Sequence, residues 1–410
     1  MNKVNKVFSI IILGVFIILF CAKVFQHGLF FDGLIYSSIS QNLADGLGSF
    51  WQPQFSQTIY PAFFEHPPLV FKLQSGFMSL FDGAFFAEKL YGCFMALTVV
   101  VLMALIWMKI AKTAAQKQLF WLPVFCWIIT PKNSWAFGNN MLENTMTVFS
   151  LASVYLLIVT VKLTGTKRIA GIFAAAICLF LAFLSKGFPG LFPLAFFGLY
   201  FLLFKSNYSI KRMLKDTAIL FISTAVIFFL FFFFNSAAQD NLITYIDTQV
   251  LGSITGKNRV GSRLVLMKNL FNELIPIIII ILIFVGVFWK KAKQLITKTP
   301  LLKQQVFLFL VIGLSASVPM MVSLKISSFY LITALPYFAM AGAFLLAPFV
   351  LHIVEKLGAA KIGFNVLRII AVFAIAIGIG LTALNTGGIG RDHETFNDME
   401  EMESFIQPNT

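Results

Sequence analysis

The chain has 410 residues, of which 59% are hydrophobic and only 12% are charged, and its mean hydropathy is +0.88. A water-soluble domain of this length would not contain so much apolar surface, so the composition excludes an ordinary soluble enzyme and predicts an integral membrane protein. The formal net charge of +14 needs its own explanation, because a strongly basic chain could also bind nucleic acid.

Long apolar runs predict an all-α polytopic membrane protein with about eleven transmembrane helices. A bilayer core takes about 20 helical residues to cross, and continuous rather than alternating runs indicate helices. Gly187 and Pro189 divide residues 170–204, a run too long for one crossing. The third span is short and contains Pro123. The predicted spans are residues 7–27, 89–108, 118–131, 141–161, 168–184, 187–204, 216–235, 271–289, 304–322, 327–350 and 364–384.

The distribution of charge predicts the orientation. If the N-terminus is cytoplasmic, the inner segments contain most of the 31 lysines and arginines and only two acids, Asp216 and Glu355. Cytoplasmic loops collect Lys and Arg, so we predict a cytoplasmic N-terminus and a periplasmic C-terminus. The net charge then follows from topology, and no nucleic-acid partner is predicted. The inner segments are residues 1–6, 109–118, 162–168, 205–216, 290–303 and 351–368.

Neither secretion nor a disulfide framework is indicated. The N-terminus has the basic start and apolar stretch of a signal peptide, but its apolar run is long and lacks a small-x-small cleavage site, so we predict a retained anchor. The four cysteines all lie in apolar spans without CxxC spacing, which favours neither disulfides nor a zinc site. They are Cys21, Cys93, Cys126 and Cys178.

The outer segments are predicted to include two helices on the membrane surface, both in the loop 28–88. Apolar residues repeat every four positions from Ile35 to Leu47, as in a surface helix. A second helix is predicted to start at Pro67 and Pro68, because proline is favoured in a first turn. A further outer loop, 236–269, is basic. The tail 385–410 is a short, polar and acidic extension of the transmembrane domain 1–384.

Four polar residues near predicted helix starts each admit two interpretations. Asp32 opens the first surface helix and, taken alone, favours an N-cap over a general base. Glu65 and His66 precede the paired prolines, where they either belong to the start of a helix or bind a phosphate at its N-terminus. Glu143, in the first turn of the fourth span, either complements the helix dipole or contributes a third acid to a site.

Outer cations form the second group of candidates. Lys186 lies at a hairpin between two spans, where a lysine often extends to the interface, but it breaks the inside preference for basic residues. Lys325 does the same, and Arg259 and Arg263 lie in an outer loop. Together these cations could hold a phosphate. Acids and cations on one face suit transfer from a lipid phosphate, in which a base activates a hydroxyl and cations stabilise the departing group.

Five motifs occur in an order that is similar to a known family. The segments FDGLIYSSISQNLADG, FFEHPPLVF, GNNMLENTMTVF, SKGFPGLFPL and KISSFYLITALP resemble the bacterial relatives of protein O-mannosyltransferases, which include the lipid A aminoarabinose transferase. These are C-type (GT-C) glycosyltransferases, and the resemblance covers residues 7–346. It implies a polyprenyl-phosphate sugar donor and inverting transfer on the periplasmic face of the bacterial inner membrane.

The resemblance also implies roles for the candidate residues. Asp32 matches the family's base for the acceptor hydroxyl, but Gly33 stands where the family has a second acid. Glu65 and His66 match its Glu-Lys-Pro-Pro or Glu-His-Pro-Pro element, where a lysine approaches the donor phosphate and a histidine changes charge near neutral pH. Glu143 would orient the acceptor or hold a cation. The phosphate-binding set is His66, Lys186, Lys325 and Tyr330, with Arg259 and Arg263 added by loop position.

The predicted function is therefore a membrane glycosyltransferase whose acceptor is a glycan, lipid or protein hydroxyl. No cofactor is predicted, because a phosphate is a good leaving group, although the outer acids offer ligands for a divalent metal. The alternative is a transporter or flippase of a lipid-linked sugar. Transporters usually carry ionisable residues near the membrane centre and often have two related halves, whereas this chain has its acids at one edge and shows no evident repeat.

Overall fold

The computed structural model describes residues 3–252, 262–323, 326–359 and 361–391, together with residues 394, 397, 398, 401, 402 and 405. Over these residues the protein is helical, with two isolated bridges and no strand. The predicted all-α class is confirmed.

Helices in the first half of the chain alternate between long spans and short pieces. They are α1 (Lys3–Phe16, continued by a π-helical turn at Ile17–Cys21), α2 (Phe31–Ala44), α3 (Leu69–Leu80), α4 (Ala87–Ile110), α5 (Ala114–Lys117), α6 (Trp121–Ile128), α7 (Pro131–Gly138), α8 (Glu143–Thr160) and α9 (Gly165–Lys186).

The second half contains more 3₁₀ and π-helical turns. Its elements are a 3₁₀ segment (Phe188–Ala195), α10 (Phe196–Leu203), α11 (Ile210–Phe233), α12 (Ser236–Tyr245, continued by a π-helical turn at Ile246–Leu251), α13 (Val265–Val287), α14 (Trp289–Thr297), α15 (Leu302–Ser317, continued by a 3₁₀ turn at Val318–Val322), a 3₁₀ turn at Ser328–Thr333, α16 (Leu335–Ala359) and α17 (Lys361–Asn385).

Nine helices among the described residues are long and apolar enough to cross a membrane, and they correspond to nine of the predicted spans. The third predicted span forms the eight-residue α6. The sixth is part 3₁₀ helix, because Pro189 and Pro193 interrupt α-helical hydrogen bonding. The tenth prediction, 327–350, begins too early, since Ser328–Thr333 forms a separate 3₁₀ turn before α16.

Polar contacts define two ends of the helical bundle. At one end, α8 begins at Glu143 beside the end of α9, and Tyr91 near the start of α4 lies 2.6 Å from the Thr145 hydroxyl. We call this the Glu143 end. At the other, Asp216 is buried and accepts a hydrogen bond from Tyr208 at 2.7 Å. The adjacent Arg168 guanidinium lies 3.4 Å from the Asp216 carboxylate.

A buried amide network fixes α2 and α3 to the turn between α7 and α8. Gln74 Nε2 donates to Asn140 Oδ1 at 2.7 Å, and the Ser40 hydroxyl donates to Gln74 Oε1 at 2.8 Å. Asn140 Nδ2 in turn donates to the Gly33 carbonyl at 3.3 Å. Because these amides are buried and mutually satisfied, they hold the two helices of the first loop in a single arrangement.

The segment after α17 pairs with the segment after α1. His27 N–H donates to the Gly388 carbonyl at 2.8 Å, and Gly390 N–H donates to the His27 carbonyl at 3.0 Å. Asn385 Nδ2 adds a hydrogen bond to the Ala22 carbonyl at 3.0 Å. The first part of the C-terminal tail is therefore attached to the Glu143 end of the bundle.

Candidate active site

A cavity of about 320 Å³ opens at the Glu143 end. It lies between the segment before α3, the first turn of α8 and the ends of α9 and α12. The 3₁₀ turns Val318–Val322 and Ser328–Thr333 complete its wall. Its lining residues are His66, Glu143, Met146, Lys186, Phe188, Pro189, Tyr245, Gln249, Val250, Pro319, Met320, Val322, Ser323 and Tyr330.

The central polar feature of the cavity is an ion pair between Lys186 and Glu143. The Lys186 ammonium donates a hydrogen bond to Glu143 Oε1, and both side chains are buried. Two desolvated charges are stable only in good mutual geometry. Glu143 Oε2 is also buried and accepts no hydrogen bond from the described residues, so one carboxylate oxygen is left for a donor from a ligand.

Aromatic rings complete the surroundings of Lys186. Its ammonium lies 4.9 Å from the centre of the Tyr330 ring and 5.3 Å from that of Phe329. Both distances allow a cation–π attraction. Burial raises the pKa of the Tyr330 phenol above its ordinary value, and the negative charge of Glu143 raises it further. Tyr330 is therefore a neutral hydrogen-bond donor at the cavity wall.

Gly187 explains how the end of α9 meets α12. Its φ of +94° ends the helix, and a Cβ atom built there would lie 1.9 Å from the Tyr245 hydroxyl oxygen. That hydroxyl donates to the Lys186 carbonyl at 3.3 Å, and burial raises the pKa of Tyr245 to about 12. Neither α12 nor a role for Tyr245 was predicted from the sequence, because no local pattern connects position 245 with position 187.

Asp32 lies in the first turn of α2 but does not cap it. Phe30 occupies the N-cap position, so the N-cap interpretation is wrong. The negative charge of Asp32 acts on nearby tyrosines. Burial raises the pKa of Tyr36 most, the charge of Asp32 raises it next, and the charge of Glu143 raises it further. The Asp32 charge acts on Tyr330 as well. The half-buried Asp32 carboxylate is thus within electrostatic range of the groups that line the cavity.

The surroundings of Gly33 leave no space for a side chain. A Cβ atom at this position would lie 2.2 Å from the Asn139 carbonyl oxygen, which belongs to the backbone. Asn139 Oδ1 also accepts a hydrogen bond from Phe30 N–H at 2.8 Å. The close approach of α2 to the end of α7 therefore leaves no room for a side chain beside Asp32.

Glu65 and His66 precede α3 rather than start it. The helix begins at Leu69 after Pro68, so the interpretation of these residues as part of the helix start is wrong. His66 lines the cavity, and its ring lies edge-on to Tyr36 with centres 5.9 Å apart. Glu65 accepts a hydrogen bond from the Tyr60 hydroxyl at 3.0 Å.

Of the remaining predicted cations, one is described by the structure and two are not. Arg263 is exposed and is not a lining residue. Arg259 and Lys325 lie outside the described residues. Of the predicted site, the structure brings His66, Lys186 and Glu143 together with Tyr330. Tyr36 and Phe329 were not predicted, although both lie inside the motifs that carry the family resemblance.

The described part of the chain contains no group of three or more His, Cys, Asp or Glu side chains placed to hold a metal ion. Glu143, the acid that lines the cavity, is engaged by Lys186. Metal independence of the reaction stays a prediction.

No family model matches the sequence, and no curated protein matches it. Solved structures do match. ArnT from Cupriavidus metallidurans bound to undecaprenyl phosphate superposes with a TM-score of 0.64 at 13% identity, covering 92% of this chain and 76% of ArnT. The archaeal oligosaccharyltransferase AglB from Archaeoglobus fulgidus, in complex with an inhibitory peptide and a dolichol-phosphate, gives 0.50 at 14% identity, covering 99% of this chain and 58% of AglB.

These similarities define the class of the protein as a multi-pass membrane protein with the GT-C fold. The apo structure of ArnT, with a TM-score of 0.64 and coverage of 96% of this chain, agrees. The resemblance found in the sequence motifs is thus confirmed for the fold, and in particular for an ArnT-like arrangement of the helices.

Proposed function

We propose that this protein is a membrane glycosyltransferase that moves a sugar from a polyprenyl-phosphate donor to an acceptor hydroxyl, with inversion, on the periplasmic face of the inner membrane. One observation carries the proposal: a buried Lys186–Glu143 pair faces a cavity that lies within electrostatic range of Asp32. It lies within a fold shared with ArnT, whose structure contains undecaprenyl phosphate.

The donor phosphate is assigned to Lys186, Tyr330 and His66. A lysine ammonium has three donor positions, and Glu143 uses one of them. The Tyr330 phenol is protonated near neutral pH, and its raised pKa keeps it so at higher pH, so its hydroxyl can donate to a phosphate oxygen. The rest of the wall is largely apolar, and Phe188 and Val322 are 46% and 61% exposed. Such a surface suits the polyprenyl chain that leads away from the phosphate.

The transfer step is assigned to Asp32. The Asp32 carboxylate takes the proton of the acceptor hydroxyl, and the oxygen attacks the anomeric carbon of the sugar. The bond from that carbon to the phosphate oxygen breaks, and its electron pair leaves with the polyprenyl phosphate, whose charge Lys186 stabilises. A single displacement of this kind inverts the anomeric centre. Glu143 Oε2 accepts a hydrogen bond from a substrate hydroxyl.

The test is Asp32→Asn in purified protein reconstituted in liposomes. Undecaprenyl-phosphate sugars carrying a radiolabel would be supplied with membrane extract as acceptor. We expect transfer to fall at least about 100-fold, the usual contribution of a general base. Asp45→Asn, at the other end of α2 and hydrogen-bonded only to Gln41 in the described structure, is the matched control. Undiminished transfer by Asp32→Asn would eliminate the assigned base.

Transport is tested in the same liposomes. Movement of the labelled lipid across the bilayer without a glycosidic product would replace the transferase proposal with the flippase alternative. Mass spectrometry of lipids and glycans, with and without the gene, would identify the sugar and the acceptor through the one species that disappears.

A further inference from the structure

A second cavity at the Glu143 end has a different chemical character from the first. It measures about 430 Å³ and lies between the end of α1, the start of α4, α7 and the segment after α17. None of its lining residues belongs to the first cavity. They include three cations, Lys23, Lys89 and Arg391, and no aspartate or glutamate. We call it the cationic cavity.

Lys89 is the most enclosed of these cations. Only 5% of it is exposed, and its ammonium donates a hydrogen bond to the Gln26 carbonyl. The Glu88 carboxylate attracts the Lys89 ammonium, and the Lys23 ammonium repels it more weakly. Glu88 lines a different cavity. Among the described residues, no carboxylate lies within 4.0 Å of the Lys23 or Lys89 ammonium, so the two like charges share a space without a close counter-charge.

Arg391 lies at the cavity because the segment after α17 pairs with the segment after α1. The hydrogen bonds between His27 and the backbone of Gly388 and Gly390 fix the chain immediately before it. Its guanidinium lies 5.3 Å from the centre of the Phe30 ring, close enough for a cation–π contact. The position of this cation is therefore built by the fold, although 363 residues separate the Ala22 and Asn385 partners that begin the pairing.

The wall changes from apolar to cationic along the direction of α1. Ile18 and Leu19 line the cavity within the π-helical turn, and Leu19 is 41% exposed. The cation Lys23 follows just beyond the helix end. A π-helical turn widens a helix locally and is frequent at functional sites. This order, apolar within the membrane span and cationic at its end, matches a lipid with its chains beside the helix and its phosphate at the surface.

We propose that the cationic cavity binds the phosphate of an anionic membrane lipid. This site is separate from the first cavity, which we call the donor cavity because the donor phosphate is assigned to it. Lys23, Lys89 and Arg391 supply charge-assisted hydrogen bonds to the phosphate oxygens, and Ile18 and Leu19 contact the acyl chains. Asn139, which holds Phe30 N–H through Oδ1, also lines this cavity. The bound lipid therefore rests against the N-terminal end of α2, the helix that carries Asp32.

The test is native mass spectrometry of the whole protein in detergent, with phosphatidylglycerol or the zwitterionic phosphatidylcholine added. We expect phosphatidylglycerol to bind at least about tenfold more tightly, because its net negative charge is attracted to the three cations, whereas they repel the choline cation of phosphatidylcholine. The variant Lys23→Gln/Arg391→Gln should lose about tenfold of that affinity, while the unliganded variant still folds and unfolds cooperatively on heating. Lys89 is left intact, because its buried hydrogen bond also supports the fold.

Two further measurements complete the test. Lys72→Gln/Lys268→Gln removes the same charge from exposed sites outside the cavity, and it should bind phosphatidylglycerol like the parent. If both double variants lost the same phosphatidylglycerol affinity, the lipid would be attracted by the overall surface charge of the protein, and the proposal would be overturned. Competition by inorganic phosphate at the same concentration as the lipid would overturn the assignment to a lipid.

Discussion

The Lys186 ammonium donates a hydrogen bond to Glu143 Oε1 at the point where α9 ends and α8 begins. Neither residue has another partner of opposite charge within 4.0 Å in the described structure. The pair therefore joins two helices that are long enough to span a membrane and also forms a polar part of the wall of the first cavity.

Replacing either Lys186 or Glu143 should lower the free energy of unfolding. Glu143→Gln leaves a buried ammonium beside a neutral amide, and we expect a loss of about 3–5 kcal/mol in the free energy of unfolding. Lys186→Met should also destabilise the protein, because it leaves a buried carboxylate. The double variant should recover part of the loss, since no buried charge remains unpaired, but donor turnover should be abolished in all three. Chemical unfolding in detergent and donor turnover measure these effects.

The control for the pair is Lys132→Gln. Its ammonium lies 4.6 Å from the centre of the Trp135 ring and has no carboxylate within 4.0 Å among the described residues. Loss of this cation–π contact should lower the free energy of unfolding by about 1 kcal/mol or less. Strictly additive losses for Glu143→Gln and Lys186→Met would show that the two side chains do not act as a unit.

Gly187→Ala should damage the cavity without changing any polar group. The new Cβ atom would collide with the Tyr245 hydroxyl, and the φ of +94° disfavours any L side chain. We expect a loss of about 1–3 kcal/mol and weaker binding of undecaprenyl phosphate. Gly198→Ala, which meets no atom within 4 Å in α10, should instead be neutral or slightly stabilising. Unchanged unfolding of Gly187→Ala would contradict the close contact.

Gly33→Ala should separate α2 from the end of α7. Its Cβ atom would meet the Asn139 carbonyl oxygen, and the backbone cannot move aside as a flexible side chain would. We expect lower stability and transfer reduced about tenfold or more, because Asp32 shifts with the helix. Gly76→Ala, a glycine of α3 with open space around it, serves as the control. A fully active Gly33→Ala variant would show that α2 tolerates displacement.

Stability should decrease above pH 10. Burial raises the pKa of Tyr245 to about 12, against an ordinary value of 10.0. Between these values the unfolded chain releases a proton that the folded protein retains, so the unfolded state is favoured as the pH rises, by up to about 1.4 kcal/mol per pH unit for each such group. The measurement is unfolding of the parent and of Tyr245→Phe between pH 8 and pH 11. The variant should show a shallower decrease, and parallel curves would contradict the assignment.

The sequence by itself determined nine long apolar helices and the end of the helical bundle at which the polar residues gather. Both are local properties, because the transfer of about 20 apolar residues into lipid depends on the run itself and not on its neighbours. Asp32, Glu65, His66, Glu143 and Lys186 were all recognisable as charged or polar groups at the ends of such runs. Their placement near one end of the bundle followed from counting the crossings.

The tertiary structure decided which of these residues meet and what surrounds them. Three contacts join positions that are far apart in the chain. Gly187 packs against Tyr245, Gly33 packs against the Asn139 backbone, and Arg391 lines the same cavity as Lys23 and Lys89. No periodicity or motif encodes such contacts, because they arise from the way whole helices pack and from the turns that end them. Part of the lining of the first cavity could therefore be predicted from the sequence, whereas the cationic cavity became visible only when the two ends of the chain were brought together.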